Sequence, residues 1–138
     1  MKLMNNKVFL DTNILVYAYS NTELDKQSIA RKLIVECDSY VSTQVLQELT
    51  NTLTKKFHNS WEDAQNAVLE SCKNNLLHIN EVGTIVNACD IALKYHFSFY
   101  NSLIIAPALE SGCSTLYSED MHNGQFIEDR LKIVNPFV

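Results

Sequence analysis

The chain has 138 residues, 46% of them hydrophobic, which is enough for one compact domain spanning residues 1–138 with its own core. Three Gly and two Pro leave little room for linkers or low-complexity segments. Eleven basic against 16 acidic residues give a net charge of −5, which disfavours a general nucleic-acid coat but not a nuclease whose acids cluster around divalent cations.

Val8–Leu10 has strand character and ends abruptly in Asp11-Thr12-Asn13, after which Leu15–Tyr19 resumes the apolar pattern. A strand ending in Asp presents that charge at the carboxyl edge of a sheet, where open α/β folds bind ligands. The interruption at Asp11 and Asn13 argues against a signal peptide or a membrane span. Glu23–Cys37 reads as a helix, with Ile29, Ala30, Leu33, Ile34 and Cys37 on one stripe. Ser39–Val41 is a short strand, followed by helices over Thr43–Phe57 and Trp61–Cys72. Asn75–Asn80 reads as a strand, and Val82, Ile85, Val86, Cys89, Ala92 and Leu93 mark a helix ending near Tyr95. Ser102–Ser111 is apolar nearly all round, which predicts a buried helix stopped by Gly112. Ser114–Tyr117 and Leu131–Val134 are the last strands. Strands separated by helices predict an α/β fold, a mainly parallel sheet covered on both faces.

Cys37, Cys72, Cys89 and Cys113 contain no Cys-x-x-Cys pair, so zinc and thioredoxin-like readings are weak. Each lies among apolar residues, which predicts buried free thiols and a cytoplasmic chain. The four His (58, 78, 96 and 122) show no ligand spacing and read as surface or packing residues. Tyr95, Phe97, Phe99 and Tyr100 read as core or dimer packing rather than base stacking.

Three acids stand out. Asp11 ends a strand, although it also suits a cap for a helix starting near Ile14. Glu48 lies on a helix whose other faces carry Leu46, Leu49 and Leu53; helix glutamates are ordinarily solvated. Asp120 lies just past a strand, where a turn Asp is common. Together these positions can converge on one carboxyl edge of the sheet. Clustered carboxylates repel, and a hard cation such as Mg²⁺ or Mn²⁺ relieves that repulsion through oxygen ligands.

Phe9-Leu10-Asp11-Thr12-Asn13-Ile14-Leu15 resembles the opening motif of PIN-domain ribonucleases. Ser42–Leu49 resembles their second motif, Phe97–Ala106 the third and Thr115–Met121 the fourth; Ile133-Val134-Asn135-Pro136-Phe137 is similar to a common ending. The size and ending are most similar to VapC-type toxins of toxin–antitoxin pairs. The resemblance implies a three-layer α/β/α fold and one or two Mg²⁺ or Mn²⁺ ions. It implies a metal-activated water attacking an RNA phosphodiester and leaving a 5′-phosphate and a 3′-hydroxyl. Asp11 would be a direct ligand, Glu48 would ligate metal or orient water, and Asp120 would bind directly or through water. Ser118 and Asn13 would donate hydrogen bonds around them, though turn roles suit both equally. The resemblance also implies a cognate antitoxin and a homodimer formed through apolar helix surface.

Asn101 departs from the pattern, which has Asp there, so this fourth catalytic and metal position carries a neutral amide oxygen. Asn would still cap the helix expected from Ser102. The change is either engineered or natural, and it predicts impaired cleavage. Pro107, inside the same helix, is a second departure. Haloacid-dehalogenase chemistry needs a second Asp where Asn13 stands, and a phosphoreceiver needs a late site lysine that Lys7 and Lys132 do not supply. The remaining alternative is a catalytically inactive PIN-like binding module, for which Asn101 is the main support.

Overall fold

The computed structural model describes residues 6–138. The chain runs β1 (Lys7–Leu10), α1 (Thr12–Ala18), α2 (Leu24–Glu36), β2 (Asp38–Ser42), α3 (Thr43–Lys55), α4 (Trp61–Asn74) and β3 (Leu76–His78). It continues through α5 (Val82–Tyr95), α6 (Phe99–Glu110), β4 (Thr115–Tyr117), β5 (Phe126–Ile127) and β6 (Leu131–Val134). The six strands form one sheet in the order β3-β2-β1-β4-β6-β5. All neighbours pair in parallel except β5 with β6. This is the three-layer α/β/α arrangement expected from the alternation of strand and helix patterns.

β1 lies inside the sheet, between β2 and β4, which explains its unbroken apolar run. Val8, Phe9 and Leu10 are all fully buried, as parallel strands covered on both faces require. Leu116 of β4 and Ile133 of β6 extend the same core, and Leu10 lies in register with Tyr117. Asp11, directly after β1, and Ser118, directly after β4, are thereby brought side by side at the carboxyl edge.

Several boundaries differ from the sequence reading. The first helix starts at Thr12, because Asp11 itself caps it. β3 covers only Leu76–His78 of the expected Asn75–Asn80, since Asn75 turns inward to accept a hydrogen bond from Ser39 Oγ at 2.5 Å. α6 starts at Phe99 rather than Ser102: its cap is Ser98, whose Oγ accepts from the Asn101 backbone N–H, and Asn101 falls inside the first turn. Its buried character holds, with Ser102–Leu109 all shielded. The helix ends in a Schellman pattern: Gly112, at φ 73°, donates to the Leu109 carbonyl and Cys113 to that of Ala108. Strand β5 has no counterpart in the sequence reading; two residues leave no periodicity to read. Cys37 and Cys113 are buried, but Cys72 and Cys89 are exposed. These two cysteines fall on outward-facing positions of α4 and α5, while Ala67, Ala88 and Ile91 of the same helices face inward. Among the described residues no helix is long and apolar enough to cross a membrane.

Candidate active site

Asp11 is the centre of the site. It is buried, with 7% of its surface exposed. Its Oδ1 accepts the Thr12 backbone N–H at 2.7 Å, and its Oδ2 accepts the Ser118 hydroxyl at 2.7 Å. The helix cap and the site acid are therefore the same carboxylate. Burial pushes its pKa up to about 6; the Ser118 and Thr12 hydrogen bonds work against that rise, and the charges of Glu48 and Asp120 add to it.

Glu48 and Asp120 reach this centre through neutral side chains. Thr12 Oγ1 donates to Glu48 Oε1 at 2.8 Å, and Gln44 Nε2 donates to the same oxygen at 3.3 Å. Asn13 Nδ2 donates to Asp120 Oδ2 at 2.9 Å. The Asp120 backbone N–H donates to Ser118 Oγ at 3.2 Å, so Ser118 ties Asp11 to the Asp120 loop. The position just after β1 supplies Asp11, the start of α1 supplies Thr12 and Asn13, α3 supplies Glu48, and the loop after β4 supplies Ser118 and Asp120.

Asn101 is half-buried in the first turn of α6. Among the described residues no hydrogen bond joins its side chain to the three acids. Nor do any three His, Cys, Asp or Glu side chains form a ready-made cation cage among the described residues. The donor chemistry nevertheless suits a hard cation, because the side chains that meet here offer carboxylate, hydroxyl and amide oxygens rather than sulfur or imidazole. Gln44 Oε1 is buried with no donor, beside the amide nitrogen that touches Glu48, and a cation's bound water would find an acceptor there.

Three contributors were not read from the sequence. Thr12 and Gln44 lie inside the quoted motifs, but their contacts to Glu48 cross from one segment to another. The third is Glu119, whose carboxylate accepts from Tyr17 Oη at 2.6 Å and from Lys26 Nζ at 2.6 Å. Burial works to raise its pKa, but these hydrogen bonds outweigh it and hold the group below the usual glutamate range. The Lys26 ammonium also lies 4.7 Å from the Tyr17 ring centroid and 5.3 Å from that of Phe137. This clamp fixes the residue next to Asp120.

A protein-family model described as PIN domain matches residues 8–122. The chain belongs to the PIN-domain family. A comparison with curated protein sequences finds no match. Among solved structures, this PIN domain is similar to VapC20 of Mycobacterium tuberculosis, a sarcin–ricin loop cleaving toxin, at 16% identity and TM-score 0.65, covering 82% of this chain and 89% of that one. It is similar to VapBC2 from Rickettsia felis bound to a promoter DNA fragment, at 17% identity and TM-score 0.67, covering 94% and 99%. A toxin–antitoxin complex from Klebsiella pneumoniae aligns at 16% identity and TM-score 0.69, covering 94% and 97%. At these identities the likeness is one of fold.

Proposed function

We propose that this PIN domain is a Mg²⁺- or Mn²⁺-dependent endoribonuclease toxin of a toxin–antitoxin pair, held at low activity by Asn101. The observation that carries the reading is Asp11: a buried carboxylate at the carboxyl edge, within the field of Glu48 and Asp120. A raised pKa from burial and neighbouring acids is a signature of a functional site. The fold likeness to VapC20 and to two antitoxin-containing complexes supports the class of partner and substrate.

In this reading Asp11, Glu48 and Asp120 hold the cation, and Asn101 offers a fourth, neutral oxygen. A bound cation supplies an activated water and neutralises charge on the phosphate. Ser118 and Thr12 keep Asp11 in a fixed rotamer, and Asn13 does the same for Asp120. Thr12 and Gln44 orient Glu48 toward the same centre. Asn101 removes one negative charge from the set, which weakens electrostatic binding of a dication. The chain acts as a single cytoplasmic domain, forms a homodimer through apolar helix surface, and is blocked by an antitoxin segment bringing a basic side chain to the acids. A genomic neighbourhood without a small DNA-binding protein would count against the antitoxin.

The second reading, a non-catalytic binding module, is favoured by Asn101 alone. The deciding assay incubates a mixture of structured RNAs, a sarcin–ricin loop RNA included, with the Asn101→Asp protein and Mn²⁺. Cleavage is expected, and Asp11→Ala on that background abolishes it. No cleavage of any RNA, with metal present and antitoxin absent, turns the assignment to the binding module.

A further inference from the structure

A cleft of about 460 Å³ adjoins the acidic centre and shares Asn13 and Glu119 with it. Its other wall is the end of α3 and the residues just after it, with Thr52, Lys56 and Phe57, and Glu23 also lines it. A smaller cleft of about 200 Å³ continues past Phe57, which lines both. Phe57 therefore lies where the two clefts meet, and the larger one reaches Glu119, next to Asp120 in sequence. Phe57 is 41% exposed, and the Lys56 ammonium lies 5.7 Å from its ring centroid.

The charges in the groove are divided in a telling way. Glu119 is neutralised by Lys26 at 2.6 Å. Neither Lys55 nor Lys56 forms a salt bridge with a carboxylate among the described residues. In a chain of net charge −5, the Lys56 ammonium, with no carboxylate partner among the described residues, beside the exposed Phe57 ring in this cleft forms a pairing that suits one ligand chemistry. Single-stranded nucleic acid binds to stacking platforms set beside cations, the base on the ring and the phosphate on the ammonium. Glu23 is an acceptor suited to an exocyclic base amine, and it repels phosphate, so it places the base rather than the backbone on its side.

We infer that the groove past Phe57 is a subsite for an unpaired nucleotide flanking the scissile bond, with its base stacked on Phe57 and its phosphate on Lys56. The inference rests on the ribonuclease reading and names how that site holds its strand.

The test measures binding of a labelled, randomised single-stranded RNA by fluorescence anisotropy in Mg²⁺, using the chain with Asn101 in place. Phe57→Ala is expected to weaken binding about tenfold, and Phe57→Tyr to retain it. Lys56→Ala is expected to lower the salt slope by about 0.7, the share of one phosphate contact on a single strand. Circular dichroism confirms that each variant is folded. Unchanged affinities and slopes overturn the subsite. So does a loss confined to the antitoxin complex, which would assign the groove to a protein partner. Kinetics on the Asn101→Asp background separate this proposal from the one beneath it. There Phe57→Ala is expected to raise KM about tenfold with kcat within about twofold. Cleavage with unchanged KM sinks the subsite and leaves the nuclease standing. Phe57-dependent binding without any cleavage sinks the nuclease and reduces the groove to a single-strand binding site.

Discussion

Asp11 ties stability to pH in an unusual direction for a carboxylate. Burial raises its pKa from 3.8 to about 6, so the folded metal-free protein holds this proton more tightly than the unfolded chain. The native state therefore loses stability as pH rises from about 4 toward 6, by about 3 kcal/mol in all, and regains none above that. Urea melts of the metal-free Asp11→Asn variant should exceed the parent by most of that amount at pH 7 and match it near pH 4. A constant gap at both pH values would show that Asp11 does not titrate this way. Metal binding opposes the same penalty, since a cation stabilises the ionised form. At residue 101 the fold tolerates either Asn or Asp, because the cap belongs to Ser98. Calorimetry should then show tighter Mn²⁺ binding by Asn101→Asp than by the parent, with similar melting of both metal-free proteins. Equal affinities would remove residue 101 from the ligand set.

Among the elements, α6 departs most from an ideal helix. Pro107 sits inside it, removes one backbone donor and leaves the Leu103 carbonyl without its usual partner four residues on. The helix survives because eight consecutive residues, Ser102 to Leu109, are buried and because the Ser98 cap and the Schellman end satisfy its termini. Packing outweighs propensity here. Pro107→Ala restores the donor in a position already shaped for a helix, and should stabilise the protein by about 1 kcal/mol in denaturant melts. A loss of stability would mean that the proline ring's packing is worth more than the hydrogen bond. The sequence announced this helix through its apolar run but misplaced its start, because Asn101 and Ser98 are both good caps and only the backbone geometry chooses between them.

At the scale of the whole molecule, α5 carries an apolar stripe that no described element covers. Val82, Ile85, Val86 and Leu93 of α5 are 78%, 45%, 55% and 79% exposed, and they recur at helical spacing. Exposed apolar stripes of this kind mark association surfaces. This stripe is the face on which the proposed homodimer would form. Leu93→Glu should convert the dimer to monomer in sedimentation without lowering the melting temperature of the monomer. A species unchanged in mass across micromolar concentrations would place the interface elsewhere. The net charge of −5 suits a basic antitoxin segment at the acidic edge, with encounter slowed by salt.

The sequence by itself determined the layered α/β class, because strand and helix periods alternate along the chain and each is a local property. It also singled out Asp11, Glu48 and Asp120 as candidates, since they stand at strand ends or within motifs that are short and contiguous. The tertiary structure decided what those acids do to one another. Thr12 bridging to Glu48, Asn13 to Asp120 and Ser118 to Asp11 span 36 and 107 residues of chain, and no local pattern encodes such pairs. The same holds for the Lys26–Glu119 clamp and for the groove past Phe57, which exists only where α1, the loop before α2 and the end of α3 meet. Exposure of Cys72 and Cys89 was hidden for a related reason: hydrophobic neighbours in sequence say that a helix is apolar, while the packing of other helices decides which of its faces is covered.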